Sequence, residues 1–419
     1  MRVAVIGAGV IGVTCAYELA ALGHETVVYE RRGSVAAETS YANAGVVAPG
    51  YVTPWAAPGM PWKVLSQLLR RHAPVRLGGW NVLSHLPWIW QWWRACSPKT
   101  HLENRSAMQR LAQFSRQRLL ELTDKLQLDY EQSTGYLVLL RDAAALAAAQ
   151  PGVALLHELG VSHELIDAAR CRQIEPGLNP QAQLQAGIHL PQDGVGNCRH
   201  FAYLLRQKGQ ELGVQFVFDT PVRGIAAGKQ PELQFQDGST RAFDAVVVCA
   251  GVQANEVLRS VGMKLPLAPV YGYSVTAPLR SQALEQQQSP VSALMDERYK
   301  VAISRLGRRV RVAGSAELGG TLEHLGQAPM RTLYRVLDEW FPGAMQQADA
   351  QPWKGARPML PDGPPVLGES GAPGVWLNLG HGSSGWALAC GSARVLAERV
   401  SGRPSPLDLS RLTRERLRT

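Results

Sequence analysis

The 419-residue chain has no uninterrupted apolar run of about 18 residues, so the sequence offers no membrane-spanning helix. The nearest approach, residues 371–393, is broken by Asn378, His381, Ser383 and several glycines. None of the six cysteines (Cys15, Cys96, Cys171, Cys198, Cys249, Cys390) forms a Cys-x-x-Cys pair, which argues against zinc and against a disulfide framework. Reduced core thiols in a cytoplasmic compartment are the expectation, and no metal site is expected. Charged residues make up only 18% beside 46% hydrophobic ones, so the chain is neither disordered nor a charge-rich fibre. A signal peptide is a poor reading of the apolar N-terminal run, because Gly7, Gly9 and Gly12 interrupt it. Acid is scarce in one stretch. Residues 39–120 hold ten Lys or Arg and a single acid, Glu103, and so carry the whole net charge of +9. The length exceeds one ordinary core and predicts two domains.

What is present starts at Arg2. A β-branched strand pattern, Val3, Ala4, Val5 and Ile6, runs into Gly7-Ala8-Gly9-Val10-Ile11-Gly12. Tyr17, Leu19 and Leu22 then recur at helical spacing up to Gly23, and a second strand pattern ends at Glu30. Strand, glycine turn, helix and strand in this order raise GxGxxG above coincidence. Gly7 permits the tight turn, Gly9 lets the backbone approach a pyrophosphate, and Gly12 lets the helix pack on the strand. The helix N-terminus presents free N–H groups and a positive dipole end to phosphate. Glu30, with Arg31 beside it, is placed to accept hydrogen bonds from a ribose diol. NAD and FAD both use this unit.

Two distant segments favour FAD. Residues 243–251 read as a buried strand ending in Ala250-Gly251, behind a hairpin turn at Asp237-Gly238. Residues 375–386 read as a strand and a glycine-rich turn through Gly380, Gly382 and Gly385, leading into a helix. Such a helix start directs backbone N–H groups at something flat and electron-rich, and the flavin N1–C2=O edge fits that role. The same segment also seals the C-terminal edge of the sheet.

With these motifs and Asn43-Ala44-Gly45, Pro54-Trp55-Ala56-Ala57-Pro58-Gly59, Tyr271-Gly272-Tyr273, Trp353 to Gly363 and His381 to Trp386, the chain up to about Ser405 resembles a known family. It is similar to the FAD-dependent D-amino-acid dehydrogenases of bacteria (small-subunit type), in the group of D-amino-acid oxidase, glycine oxidase and sarcosine oxidase. The resemblance implies an α/β fold with a Rossmann-type, glutathione-reductase-like FAD domain, discontinuous over residues 1–60, 190–260 and 350–419. It implies an α+β substrate domain on a mostly antiparallel sheet, residues 61–189 and 261–349. Ser40, Asn43, Ala44, Gly45, Val222, Gly251, Gly380, His381, Gly382, Gly385 and Trp386 join the cofactor contacts on the same ground. Residues 354–366 lack the cysteine of the covalent flavin oxidases, so noncovalent FAD is expected. Ser383-Ser384 and Val46-Val47-Ala48 depart from the family's pattern near the expected cavity.

The implied reaction is oxidative deamination of a D-amino acid: hydride leaves Cα for flavin N5, and the imine hydrolyses to a 2-oxo acid and ammonia. Electrons then pass to a quinone or respiratory acceptor. Arg357 is the implied grip on the substrate carboxylate, which a planar guanidinium pairs through both oxygens. Tyr299 is a candidate substrate-binding tyrosine on a sheet strand, and Tyr51 and Tyr271 are weaker candidates of the same kind. His381 faces the flavin or caps its own turn, and no general base stands out. Two alternatives stay open: the same chemistry on a secondary amine (D-proline, a D-hydroxyproline, sarcosine), or a flavin-carrying subunit dependent on a partner.

Seven of the 11 tryptophans fall between Trp55 and Trp93, inside the basic stretch at residues 55–120. Trp beside Arg and Lys suits a helix lying in an anionic headgroup layer, with Arg70, Arg71, Arg76 and Arg94 among its cations. The expectation is a peripheral protein on the cytoplasmic face of the inner membrane. Packing of the rings on the substrate domain or on a second subunit is the other reading, and no nucleic-acid partner is expected.

Overall fold

The computed structural model describes residues 1–67 and 72–418; Arg70 and Arg71 lie outside the described residues, as does the side chain of Trp80. A six-stranded sheet runs in the order Val366–Glu369, Val375–Leu379, Ala245–Val248, Arg2–Ile6, Glu25–Tyr29, Gln215–Val217. All its pairings are parallel except that of the edge strand Val366–Glu369. The central strands are buried on both faces, which explains their unbroken Val and Ala runs. Helices Val10–Ala21, Cys198–Glu211 and Gly385–Val400 share the core on one face, and a three-stranded antiparallel sheet with helix Ala254–Leu258 covers the other. The adjacent-strand order and two covered faces are those expected of a Rossmann-type unit.

Helix Pro98–Leu126 starts at Ser97, whose side chain caps Thr100 N–H, and ends in a left-handed Gln127. It falls in the stretch expected for the substrate domain, yet Leu119 and Leu122 pack in the core of the nucleotide sheet. Arg118 on this helix and Arg394 on the C-terminal helix both pair with Glu18, fully buried on the first helix, at 2.7 and 3.2 Å. Glu18 is a charge in a helix core, paired twice because an unpaired one would be costly there.

The second sheet has ten strands and is mostly antiparallel. Its backbone is Gln351–Met359, Ala268–Pro278, Arg309–Leu318, Val301–Leu306, Ala293–Asp296, Ser133–Leu140 and Ala186–Val195, with the two-residue strand Val46–Val47 at the end. Gln351–Met359, expected with the nucleotide part, hydrogen-bonds along its full length to Ala268–Pro278 and is an edge strand of this sheet. Helix Gln327–Trp340 closes one face through Leu333, Val336, Leu337 and Trp340. The loop before Val46 crosses from the nucleotide unit to the large sheet, and one cavity lies between them.

Candidate active site

The cavity has a volume of about 1530 Å³. That exceeds the ~300–1,000 Å³ usual for a single small ligand and leaves room for an extended dinucleotide with a substrate beside it. Ile6, Gly7, Gly9, Val10 and Ile11 line one end. Gly7 adopts φ +101°, and a Cβ there would sit 2.8 Å from the Cys249 carbonyl oxygen. A Cβ on Gly12 would meet the Gly7 oxygen at 1.8 Å, so helix and turn approach as closely as backbone permits. The helix begins at Gly9 with no side-chain cap and no acid in its first turn. Its positive end, met only by the neutral Ser40 hydroxyl, therefore faces the cavity with no acid against it, as a pyrophosphate requires. Glu30 also lines the cavity, its carboxylate held by Ala8 N–H at 2.7 Å and Arg32 N–H at 2.9 Å. Lone pairs remain on both oxygens for a diol. Arg31, beside it, is committed to Glu38. Val222 and Gly251 also line this end, whereas Val3, Ala4, Val5, Ala8 and Gly12 lie beneath the wall and shape it.

Toward the middle, Ser40 accepts a hydrogen bond from Val10 N–H at 3.1 Å, and Asn43 Oδ1 accepts one from Gly45 N–H at 3.0 Å. Ser40, Asn43, Ala44 and Gly45 line the cavity. So does the turn Gly380–Gly385, where Gly380 and Gly382 take φ +78° and +56°. Helix Gly385–Val400 again starts without a side-chain cap or an early acid. Trp386 is buried and donates through Nε1 to Gly196 O at 3.1 Å. Two helix ends without an acid in their first turn, the Glu30 carboxylate and glycines at closest approach fit FAD along this groove.

Arg357 stands on the wall beyond this turn, joined to it by the bridge between Met359 and His381. Its guanidinium lies across Gly272, where a Cβ would be 2.3 Å from Nη2. Nη1 donates to Ser315 O at 3.0 Å, and Ser315 reaches that position by taking φ +60° in a bulge opposite Gly272. Among the described residues no carboxylate pairs with Arg357, and burial alone lowers its pKa to about 10. The result is a fixed cation facing the cavity. Across the cavity Tyr51 donates to Glu297 Oε2 at 2.8 Å and accepts from Lys300 Nζ at 3.1 Å. Burial and the Glu297 charge push its pKa well up, so the hydroxyl stays neutral.

Two expected tyrosines are elsewhere. Tyr299 is in the turn between strands Ala293–Asp296 and Val301–Leu306, not on a strand, and its ring lies beneath Arg141, Arg298 and Arg335. Its turn neighbours Glu297 and Lys300 reach the cavity instead. Tyr271 does not line the cavity: its ring lies under Lys354 Nζ at 4.9 Å, and Val270, Gly272 and Tyr273 of its strand form the wall instead. His381 does line the cavity, but Nε2 bonds to Ser392 Oγ at 3.1 Å, and burial lowers its pKa to about 3. It is a neutral histidine anchoring its own turn to the helix. Sequence reasoning missed Gly272, Ser315, Glu297 and Lys300. Gly272 between two tyrosines in a strand was the one available signal.

The cavity also borders the basic segment. Trp92, Trp93, Lys63, His101 and Arg105 line it there. Trp62 and Trp90 are 70% and 62% exposed on the same segment, while Trp88 is buried and donates to Met359 O at 3.1 Å. One face of the segment packs on the large sheet through Trp88, as the packing reading expects, and the face with Trp62 and Trp90 is open.

A family model described as DAO, FAD dependent oxidoreductase, matches residues 2–399. The D-amino acid dehydrogenase of Rhizorhabdus wittichii is 40% identical over 419 residues, covering 99% of this chain and 100% of that protein. The protein of the same name from Cereibacter sphaeroides is 40% identical over 421 residues, covering 99% and 95%. Among solved structures, glycine oxidase from Geobacillus kaustophilus shares the fold with a TM-score of 0.76 at 20% identity, over 98% of this chain and 97% of that one. With a nucleotide unit fitted to FAD, a large sheet behind it and a family match over nearly its full length, the chain belongs to the DAO family of FAD-dependent oxidoreductases.

Proposed function

We propose that the protein oxidises D-amino acids to 2-oxo acids and ammonia and delivers the electrons to a respiratory acceptor. The observation that carries this reading is Arg357, an unpaired guanidinium held over Gly272 on the cavity wall, which suits the α-carboxylate of an amino acid. The names of relatives at 40% identity support the D configuration. FAD, when bound, supplies the two-electron acceptor for the Cα hydride. The chain fixes the carboxylate through Arg357 and holds the Tyr51 hydroxyl, through Glu297 and Lys300, on the opposite wall. His381 is neutral, with a pKa lowered to about 3 by burial, and is too weak a base to take the amine proton, so the substrate amine loses that proton to water before oxidation. Ala48, Ala302 and Ala313 on the wall support an apolar side chain.

The open tryptophans Trp62 and Trp90, with Arg94 beside them and Lys63 and Arg105 at the cavity edge, support docking on an anionic lipid surface. No helix among the described residues is long and apolar enough to cross a membrane, which is consistent with peripheral contact on the cytoplasmic face. A cavity edge on that surface suits an acceptor arriving from the lipid phase.

The test is anaerobic bleaching of the yellow holoenzyme by D-alanine, D-proline, sarcosine and L-alanine in turn. Bleaching by D-alanine ahead of the others is expected. Bleaching by L-alanine alone overturns the stereochemistry, and no bleaching by any of them favours a partner-dependent subunit.

A further inference from the structure

The loop Ala42–Gly45 is held from behind by three adjacent strands of the large sheet. Ser274 Oγ donates to Ala42 O at 2.7 Å, Arg311 Nη1 to Asn43 O at 3.0 Å, and Ser304 Oγ to Ala44 O at 2.8 Å. Three consecutive carbonyls thus point into the sheet. In a trans peptide the N–H opposes the C=O, so the Asn43 and Ala44 N–H groups point the other way. Neither has an acceptor among the described residues, and both residues line the cavity. Successive N–H groups of this kind form an anion-favouring concavity.

The member of the clamp that stands out is Arg311. It is 5% exposed, and its register partners are Thr276 on one side and Ser304 on the other. Nε donates to Thr276 Oγ1 at 2.8 Å. Among the described residues no carboxylate touches it: the neighbouring Glu131 is taken up by Arg309 at 2.7 Å. A loop carbonyl needs only a neutral donor, as Ser274 and Ser304 demonstrate. A buried guanidinium without a counter-ion is far costlier than a serine in that role.

We infer that Arg311 is a positioning residue whose charge, relayed through the Asn43–Ala44 peptide, favours negative charge on the bound flavin and raises its affinity for electrons. This rests on the reading that the Asn43–Gly45 loop borders the flavin.

The experiment measures the midpoint potential of the bound FAD, equilibrated anaerobically with a reference dye, so no amino-acid substrate is needed. Arg311→Met is expected to keep FAD and to lower the reduced-to-oxidised ratio at a given dye poise about tenfold, which is about 30 mV for a two-electron couple. Arg311→Lys, which keeps the charge, and Thr276→Val, which removes an anchor without touching charge, are expected to stay near the parent. A flavin-bearing Arg311→Met at the parent potential overturns the inference, as does a Thr276→Val drop of equal size. If Arg311→Met releases FAD, Glu131→Gln decides: by freeing the charge of Arg309 it should raise the potential, and an unchanged or lower value overturns the inference. Bleaching by D-alanine, run on the same samples, tests the proposed reaction separately.

Discussion

Replacing Arg357 tests the substrate site most directly, because the structure supplies both the perturbation and an independent copy of it. Arg357→Ala removes the cation that would pair with the substrate carboxylate. Removing one partner of a buried, hydrogen-bonded charge pair costs about 2–5 kcal/mol. Arg357 is shielded from bulk solvent but part of its surface opens to the cavity, so the lower end applies, about 2–3 kcal/mol, or roughly 30- to 150-fold in kcat/KM. Gly272→Ala is the copy. Its Cβ would lie 2.3 Å from Nη2 and 2.5 Å from Cζ, so the guanidinium must move although it remains in the chain. A displacement near 1 Å costs about 100-fold where orientation matters. Steady-state rates with D-alanine and a soluble dye should show both losses mainly in KM, with the flavin absorbance unchanged. Thermal stability should go the opposite way for Arg357→Met, which replaces an unpaired cation by an apolar side chain of similar length. An unchanged KM in Arg357→Ala refutes the assignment. A Gly272→Ala variant with parental kinetics refutes the geometry.

Four further outcomes follow from the same contacts. Gly12→Ala, whose Cβ would collide with Gly7 O at 1.8 Å, should yield colourless protein on purification. Glu18→Ala takes the shared partner from Arg118 and Arg394, which keep Glu121 and Glu398, and should lower stability by about 2 kcal/mol, read as a fall in the thermal midpoint. His381 titrates near pH 3 when folded against 6.5 when unfolded, so only the unfolded chain takes up its proton between those values. Stability from this group is therefore full above pH 6.5 and is lost as pH falls, by about 2 kcal/mol at pH 5. His381→Gln should flatten that acid limb in a pH series of melting curves. Trp62→Ser, Trp90→Ser and Arg94→Gln together should abolish co-flotation with anionic liposomes while leaving dye-linked activity intact; unaltered flotation would move the docking surface elsewhere.

How far the site was legible in the sequence depended on where each constraint acts. Gly7, Gly9 and Gly12 were legible because their demand is local: a turn, a close approach and a helix contact lie within six residues. Glu30 was legible because it ends the strand that follows. Arg357 had no local pattern, and only the family resemblance singled it out; Gly272 and the Ser315 bulge that hold it come from two other strands. Tyr299 failed for the complementary reason. Its segment has the composition of a strand, but residues 297–300 form the turn, and a turn directs side chains by its own geometry, not by alternation. Glu18 reads as a solvent-facing helix residue until two arginines, 100 and 376 positions away, are brought to it.

The same distinction applies to the loop Ser40 to Gly45, which contains no charge and which only the family resemblance marked as a cofactor contact. Its rigidity comes from Ser274, Thr276, Ser304 and Arg311, four buried polar residues on strands that read as ordinary β pattern. Only register puts Thr276, Arg311 and Ser304 in one row across three strands, so that Thr276 braces Arg311 while Arg311, Ser304 and the nearby Ser274 meet three consecutive carbonyls. The large sheet therefore bears on both sides of the proposed chemistry: through Gly272 and Ser315 it holds Arg357, the proposed carboxylate partner, and through Arg311 and its neighbours it holds the Ala42–Gly45 loop. On the proposed reading, a shift in that sheet would move the substrate grip and the loop together, which favours a constant geometry between them.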